Sequence, residues 1–211
     1  MANDRRQRIL KAALDVFMRY GYRRTTMDDI AREVGKSRPA LYLSFPSKEA
    51  LLIGVVEVGL DETIRAIEAG LSGQGSLSAK LRHVFELWSV RPFEQIARSP
   101  AASELMSGDY RVANEVFARG AKRLAAILSE LIRATVSDPG ALQPSAEVRA
   151  RIMIAAAHGY KNVARDTREY RAFVHDLVRM TVAGLPVDEE APRVARQPPR
   201  RKSARRRPRT S

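Results

Sequence analysis

Side chains that can contact nucleic acid are concentrated between Thr26 and Lys48 of this 211-residue chain. Hydroxyl and ammonium groups bind phosphate oxygens, whereas an arginine can also bind a guanine edge through two hydrogen bonds. Four residues of the segment have the basic or small apolar side chains that contact base edges: Lys36, Arg38, Ala40 and Leu43. Four others have groups suited to phosphates: Thr26, Ser37, Tyr42 and Lys48. Pro39 lies between them, and we expect these residues to form one DNA-binding surface.

Two short helices are predicted to carry this surface. Thr26 and Asp29 have the spacing of a capping box, so one helix should begin directly after Thr26. Gly35 can adopt the left-handed conformation that ends a helix, and Ser37 can cap the next helix. A helix, a short turn and a second helix form the helix-turn-helix pattern, whose second helix enters the major groove of DNA.

The second helix needs an anchor, and Leu41 and Phe45, four residues apart, are predicted to fix it in a hydrophobic core. A longer amphipathic helix before the motif is expected to pack behind it. Arg5 and Arg6 at the start of that helix have two interpretations of equal weight. They contact the minor groove or a phosphate, or they form a solvated helix end.

The motif belongs to a longer pattern that the chain supplies in order: Thr25-Thr26, Ile30-Ala31, Gly35, Ser37, Leu41-Tyr42, Phe45, Lys48 and Leu51. In this pattern the chain resembles the TetR/AcrR (tetracycline-repressor) family of bacterial transcriptional regulators. It departs from the family pattern at Lys36, Pro39 and Ser44, on or beside the second helix. The resemblance implies a repressor that leaves a palindromic operator in double-stranded DNA when a small apolar or amphipathic effector binds.

The same resemblance implies a homodimer formed by the last two helices, residues 145–184. The small and apolar residues from Ala155 to Gly159 favour a helix that is packed on more than one side. Packing within a single chain is the alternative interpretation of this pattern.

Helical periodicity runs through the chain to about residue 184, without a strand pattern. We predict helices over residues 5–20, 47–70, 78–89, 92–107, 109–136, 145–165 and 168–184, besides the two short ones. The predicted fold class is therefore all-α. Its parts are a three-helix helix-turn-helix DNA-binding domain (1–52), a helical-bundle effector and dimerisation domain (53–187) and a disordered basic tail rich in proline and arginine (188–211).

Most of the net charge of +13 is carried by the two ends of the chain. Residues 1–52 hold 11 basic and 6 acidic side chains, residues 188–211 hold 9 and 3, and the middle holds 17 and 15. This distribution favours binding of a polyanion by the two ends of the chain. The tail is either an arm that contacts DNA or a solubilising segment that binds any polyanion weakly.

Large apolar and aromatic side chains from several helices could line an effector pocket in the second domain. The predicted lining is Phe85, Trp88, Phe93, Leu105, Met106, Tyr110, Phe117 and His158. Plain core packing is the alternative for any one of these residues. Trp88 and Tyr110 are the strongest pocket candidates, because each has a polar group that needs a partner when buried.

The remaining composition argues against several classes of protein. The chain has no cysteine, so disulfides and thiolate metal sites are excluded. It has no apolar run of about 18 residues and no signal-peptide pattern at its start. We expect a bacterial cytoplasmic protein, nucleoid-associated when bound to DNA, with no membrane partner, no metal and no cofactor.

Catalytic motifs are missing from the sequence. Its three histidines are His83, His158 and His175, and neither Gly-x-Ser-x-Gly nor His-Glu-x-x-His occurs. We therefore predict that the protein is not an enzyme and has no catalytic residues. The main alternative to a ligand-controlled regulator is a constitutive, effector-independent DNA-binding or architectural protein. A helical enzyme ranks far behind both.

Overall fold

The computed structural model describes residues 2–98, 113–140 and 142–186, and every regular element within these ranges is helical. The helices, numbered over the described residues, are α1 (Ala2–Tyr20), α2 (Met27–Val34), α3 (Arg38–Tyr42), α4 (Lys48–Leu71), α5 (Leu77–Phe85), α6 (Arg91–Ala97), α7 (Asn114–Arg133), α8 (Ala146–Tyr160) and α9 (Thr167–Ala183). A π-helical turn, Glu86–Val90, joins α5 to α6. The all-α prediction is confirmed.

Two separate hydrophobic clusters organise the helices. The first, here called the head core, contains buried side chains from Ile9 to Val55 and is built by α1, α2, α3 and the start of α4. The second, here called the body core, contains buried side chains from Ile64 to Leu185. Helix α4 contributes to both, so it is a continuous covalent link between the head and the body. Ile96 of α6 also packs against the head core and makes a second link.

Local sequence signals set the ends of the head helices. Gly21 and Gly35 have φ values of 82° and 66°, the left-handed conformation that ends a helix and that was predicted for Gly35. Ser37 caps α3 and Ser47 caps α4, each by accepting a backbone N–H three residues further on. These caps explain how three helices begin within so short a stretch.

The predicted break between the helices over residues 78–89 and 92–107 is wrong. Pro92 lies in the first turn of α6, where its missing N–H leaves no hydrogen bond unmade. The chain therefore passes from α5 through the π-helical turn into α6 without a loop. Helix α8 also ends at Tyr160, earlier than predicted, because Asn162 and Val163 donate to carbonyls three residues back and close its last turn.

Several predictions fall outside the described residues. These are the end of the helix predicted over 92–107, the start of that predicted over 109–136, and the basic tail at 188–211. The domain boundaries at residues 52 and 187 also stay predictions.

Candidate nucleic-acid interface

The short helix α3 is anchored on one side and open on the other. Leu41 and Phe45 are 0% and 1% exposed in the head core, as their spacing predicted. Leu43 is 89% exposed, and Tyr42 beside it is 38% exposed. An apolar side chain as exposed as Leu43 is available to a partner, and the same outer face carries Arg38.

Arg38 is held from two sides at the start of α3. Its Nη1 lies 3.3 Å from Oδ2 of Asp28, which is in the first turn of α2. Its Nη2 donates to the Tyr42 hydroxyl at 3.5 Å, and its guanidinium carbon lies 5.5 Å from the Tyr42 ring centroid. The hydrogen bond to Tyr42 and then the charge of Asp28 raise the pKa of Arg38. Arg38 is therefore a fixed cation on the exposed face of the motif.

The turn and the first part of α3 are completed by Lys36, Ser37, Pro39 and Ala40. The Ser37 hydroxyl oxygen accepts the Ala40 N–H at 3.4 Å. As an acceptor in this bond, the hydroxyl can still donate its own hydrogen. Lys36 and Pro39 are exposed, and Ala40 is half-buried. The structure thus brings these predicted residues together beside Arg38.

Thr26, which was predicted to contact a phosphate, forms the predicted cap of α2. Its hydroxyl donates to Oδ2 of Asp29 at 2.6 Å, its backbone N–H donates to the same oxygen at 2.9 Å, and the Asp29 N–H donates back at 3.2 Å. These bonds are the predicted capping box, and they lower the pKa of Asp29. Both Thr26 donors are thus engaged in building the start of α2, and its phosphate contact stays a prediction.

Lys48, which was predicted to contact a phosphate, makes its hydrogen bonds within the protein. Its Nζ donates to the carbonyl oxygens of Tyr22 at 2.8 Å, Thr25 at 3.0 Å and Arg23 at 3.3 Å. An ammonium has three hydrogens, so these carbonyls engage all of them. Nζ also lies 4.5 Å from the Tyr22 ring centroid. Lys48 therefore ties the start of α4 to the loop between α1 and α2.

The start of α1 adds further positive charge to the head. The Arg6 guanidinium lies over the ring of Phe45, 4.4 Å from its centroid, and so beside the end of α3. Arg5 and Arg8 line a groove of about 280 Å³ together with Lys36 of the turn. Arg6 remains exposed while it stacks. These contacts place the basic end of α1 next to the helix-turn-helix motif.

The profile of a protein family described as "Bacterial regulatory proteins, tetR family" matches residues 9–55, which span the whole head core. The match covers α1 from Ile9 onward, the capped α2–α3 motif and the start of α4. The head of this chain is a TetR-family module. The resemblance stated from the sequence is thereby confirmed.

Three sequence relatives match this chain over 64 to 85 residues. The HTH-type transcriptional regulator YfiR of Bacillus subtilis is 39% identical over 85 residues, which are 40% of this chain and 42% of that regulator. For two further regulators of that organism, YerO and YuxN, the chain spans 26% and 22% of their length. The chain therefore spans less than half of these relatives.

Solved structures match over both head and body. A TetR/AcrR regulator from Thermobifida fusca has a TM-score of 0.63 and 25% identity, over 86% of this chain and 98% of its own. The repressor FadR of Thermus thermophilus, solved with lauroyl-CoA, has a TM-score of 0.58 and 24% identity, over 89% and 98%. The likeness to FadR shows a shared fold.

The predicted effector-pocket residues are only partly brought together. Phe85 is fully buried in the body core, and Trp88 and Phe93 pack against that core. The Phe93 ring lies 4.7 Å from the ring of Tyr170. Phe117 is half-buried on α7, while Leu105, Met106 and Tyr110 lie outside the described residues. His158 does not join the predicted pocket residues. It is exposed on α8, whereas Met153 and Ala157 of the same helix face the core.

Trp88 lies where the body touches α4. A Cβ atom added to Gly120 of α7 would be 3.0 Å from Leu60 of α4 and 3.2 Å from Trp88. Ion pairs flank this contact, with Arg119 3.1 Å from Glu57, and Arg123 paired with Asp61. The π-helical turn that carries Trp88 is a geometry frequently found at functional sites.

The sequence alone did not reveal three of these contacts: the pairing of Arg38 with Asp28, the Lys48 bonds and the close approach at Gly120. Each joins positions at least 10 residues apart and depends on how the helices pack. Among the described residues, no group of three or more histidine, aspartate or glutamate side chains could hold a metal ion. None of the described helices is long and apolar enough to cross a membrane.

Proposed function

We propose that this protein is a dimeric transcriptional repressor that reads a palindromic operator with α3 and leaves it when a small-molecule effector binds. The observation that carries the proposal is the α2–turn–α3 unit, capped at each start and anchored by Leu41 and Phe45. Its outer face holds a fixed arginine and an apolar residue that is 89% exposed, Leu43. Such a face suits base edges in the major groove.

Roles within the interface follow from the contacts. Arg38 is the proposed guanine reader, since a guanidinium can bind O6 and N7 together. Leu43 and Ala40 are suited to thymine methyl groups, and Lys36 reaches a base from the turn. Ser37 and Tyr42 are proposed to contact phosphates with their hydroxyl groups. Arg5 and Arg6 are proposed as further phosphate contacts, which the stacking of Arg6 on Phe45 favours.

Exposed apolar residues of α8 and α9 support the proposed homodimer. Val148, Ile152, Ala155 and Gly159 have the spacing of one face of α8, and all are exposed. Val148 and Ile152 are 41% and 54% exposed, and Met180 of α9 is 73% exposed. Contiguous apolar surface of this kind marks a protein interface. A second copy of the chain would cover it and place two α3 helices on one operator.

Effector control is proposed to act through α4. A ligand that displaces Trp88 would press on Leu60 of α4 through the contact at Gly120. Lys48 at the other end of α4 would pass the movement to the loop behind α2. A coupling free energy of about 1–3 kcal/mol would change operator affinity by about 5- to 150-fold.

The test is selection of native genomic fragments by the purified protein, followed by a search for compounds that release them. The compounds are those handled by genes next to the recovered fragments, together with lauroyl-CoA, the ligand of the Thermus thermophilus FadR structure. Recovery of discrete fragments and their release by one compound class is expected. Fragments that no compound releases would favour the constitutive alternative, and random recovery would contradict sequence-specific binding.

A further inference from the structure

We infer that Asp28 is a positioning residue for base reading: its carboxylate holds the Arg38 guanidinium so that Arg38 binds guanine in preference to phosphate. This inference rests on the proposed function and deepens it. Asp28 lies in the first turn of α2, and Arg38 is the first residue of α3. The contact therefore joins the two helices of the motif.

Only two N–H groups of the Arg38 guanidinium are engaged within the motif. Asp28 accepts from Nη1 at 3.3 Å, and the Tyr42 hydroxyl accepts from Nη2 at 3.5 Å. A guanidinium has five N–H groups, so three remain when these two are engaged. Binding to O6 and N7 of guanine needs two. Arg38 can therefore read a guanine without leaving Asp28.

Charge then separates the two possible acceptors. A phosphate that approached Arg38 would also approach the Asp28 carboxylate, and the like charges repel. The O6 and N7 acceptors of guanine carry no net charge, so Asp28 opposes them far less. The carboxylate thus disfavours contacts to phosphates, which every DNA sequence has. It leaves the contact to guanine, which depends on the sequence.

The ion pair between Asp28 and Arg38 contributes little to the stability of the fold. The side chains of Arg38 and Asp28 are 60% and 50% exposed, and ion pairs so exposed contribute little to folding. The neighbouring acid of α2, Asp29, has a separate task in the capping box. The third acid, Glu33, pairs with Arg19 at 3.6 Å near the other end of α2. Glu33→Gln is therefore a control that removes the same charge from the same helix.

The experiment measures the affinity of the full-length wild type, Asp28→Asn, Asp28→Glu, Glu33→Gln, Arg38→Ala and the Asp28→Asn/Arg38→Ala double variant. The DNA probes are the operator selected by the wild type, the same operator with each guanine replaced in turn, and random DNA. Asp28→Asn is expected to lower the preference for one guanine by about 3- to 10-fold, part of the about 5- to 150-fold that a bidentate contact gives. Its affinity for random DNA should rise.

Three comparisons decide the inference. The effect of Asp28→Asn on the guanine preference should disappear in the Arg38→Ala background, and Glu33→Gln should keep the preference. Asp28→Glu, which keeps the charge, should restore the weak affinity for random DNA. An Asp28→Asn protein with unchanged guanine preference, or with the same loss when Arg38 is absent, would overturn the inference. A wild type that prefers no sequence would instead overturn the proposed function.

Discussion

Lys48 illustrates how one side chain can have the right chemistry for DNA and still be used elsewhere. A lysine at the start of a helix next to the motif is a reasonable phosphate contact from sequence alone. In the structure its three hydrogens are directed to the carbonyl oxygens of Tyr22, Arg23 and Thr25. Those carbonyls lie in the loop that leads into α2, so Lys48 supports the motif from behind.

Replacing Lys48 by alanine should therefore destabilise the protein more than it weakens phosphate binding. Loss of hydrogen bonds to a charged group should lower the free energy of unfolding by about 1.5–3 kcal/mol. The salt dependence of operator binding should keep its slope, whereas a lost phosphate contact would reduce the slope by about 0.9. Urea unfolding and binding at several salt concentrations measure both. Lys122→Ala, on the exposed side of α7, is the matched control.

Lys161, directly after α8, predicts how stability depends on pH. Burial lowers the pKa of its ammonium from 10.5 to about 8. Between these values the unfolded chain binds more protons than the folded protein, so the free energy of unfolding rises as pH rises from about 8 to 10.5. Below that window, both states are protonated and the folded protein carries the burial penalty.

Lys161→Met should therefore stabilise the protein at neutral pH and remove its share of this rise. Urea unfolding at neutral pH and at about pH 10 tests the prediction. Lys122→Met, an exposed lysine replaced in the same way, should have neither effect. A wild type whose stability falls across the window, with no change in Lys161→Met, would contradict the account.

At the scale of elements, the head could be predicted nearly residue by residue. The capping signals at Thr26, Gly35, Ser37 and Ser47 act within a few residues of themselves, and a local interaction can be recognised from local sequence. The anchoring of α3 by Leu41 and Phe45 followed from helical spacing for the same reason.

The body was predicted less well, because its details depend on packing between distant segments. Pro92 looked like a break, but the π-helical turn before it lets the chain continue into α6. His158 was assigned to the pocket by residue type, whereas the direction of α8 places it on the surface. Spacing alone could not show which side of α8 faces the core, since small and apolar residues occupy most of that helix.

The contact between α4 and α7 predicts different outcomes for two glycines in helices. A Cβ atom added to Gly59 of α4 meets nothing within 4 Å, whereas one added to Gly120 of α7 crowds Leu60 and Trp88. Gly59→Ala should therefore raise stability by about 0.5–1 kcal/mol through helix propensity. Gly120→Ala should gain less or lose stability, and it should also shift the effector dose that releases the operator. Equal stabilisation of both variants in thermal unfolding would show that the contact is loose.

In the whole molecule, the proposed dimer has two DNA-reading motifs, one from each protomer. A single helix-turn-helix motif reads few base pairs, and twofold symmetry doubles them on a palindrome. Ile152→Arg places a charge in the centre of the exposed α8 face and should give a folded monomer. Sedimentation should show half the wild-type mass, with strongly weakened operator binding. Leu14→Arg is the control, since Leu14 is also an exposed apolar residue, at 42%, but lies on α1.

The most direct test of the central claim is selection of bound sequences from a random DNA library by the full-length protein. A symmetric consensus is expected, with two half-sites about 34 Å apart from centre to centre, one turn of DNA. Each half-site should contain a guanine whose enrichment disappears when Arg38 is replaced by alanine. A consensus without symmetry, or the same guanine enrichment without Arg38, would contradict the proposed dimer or the proposed reading by α3.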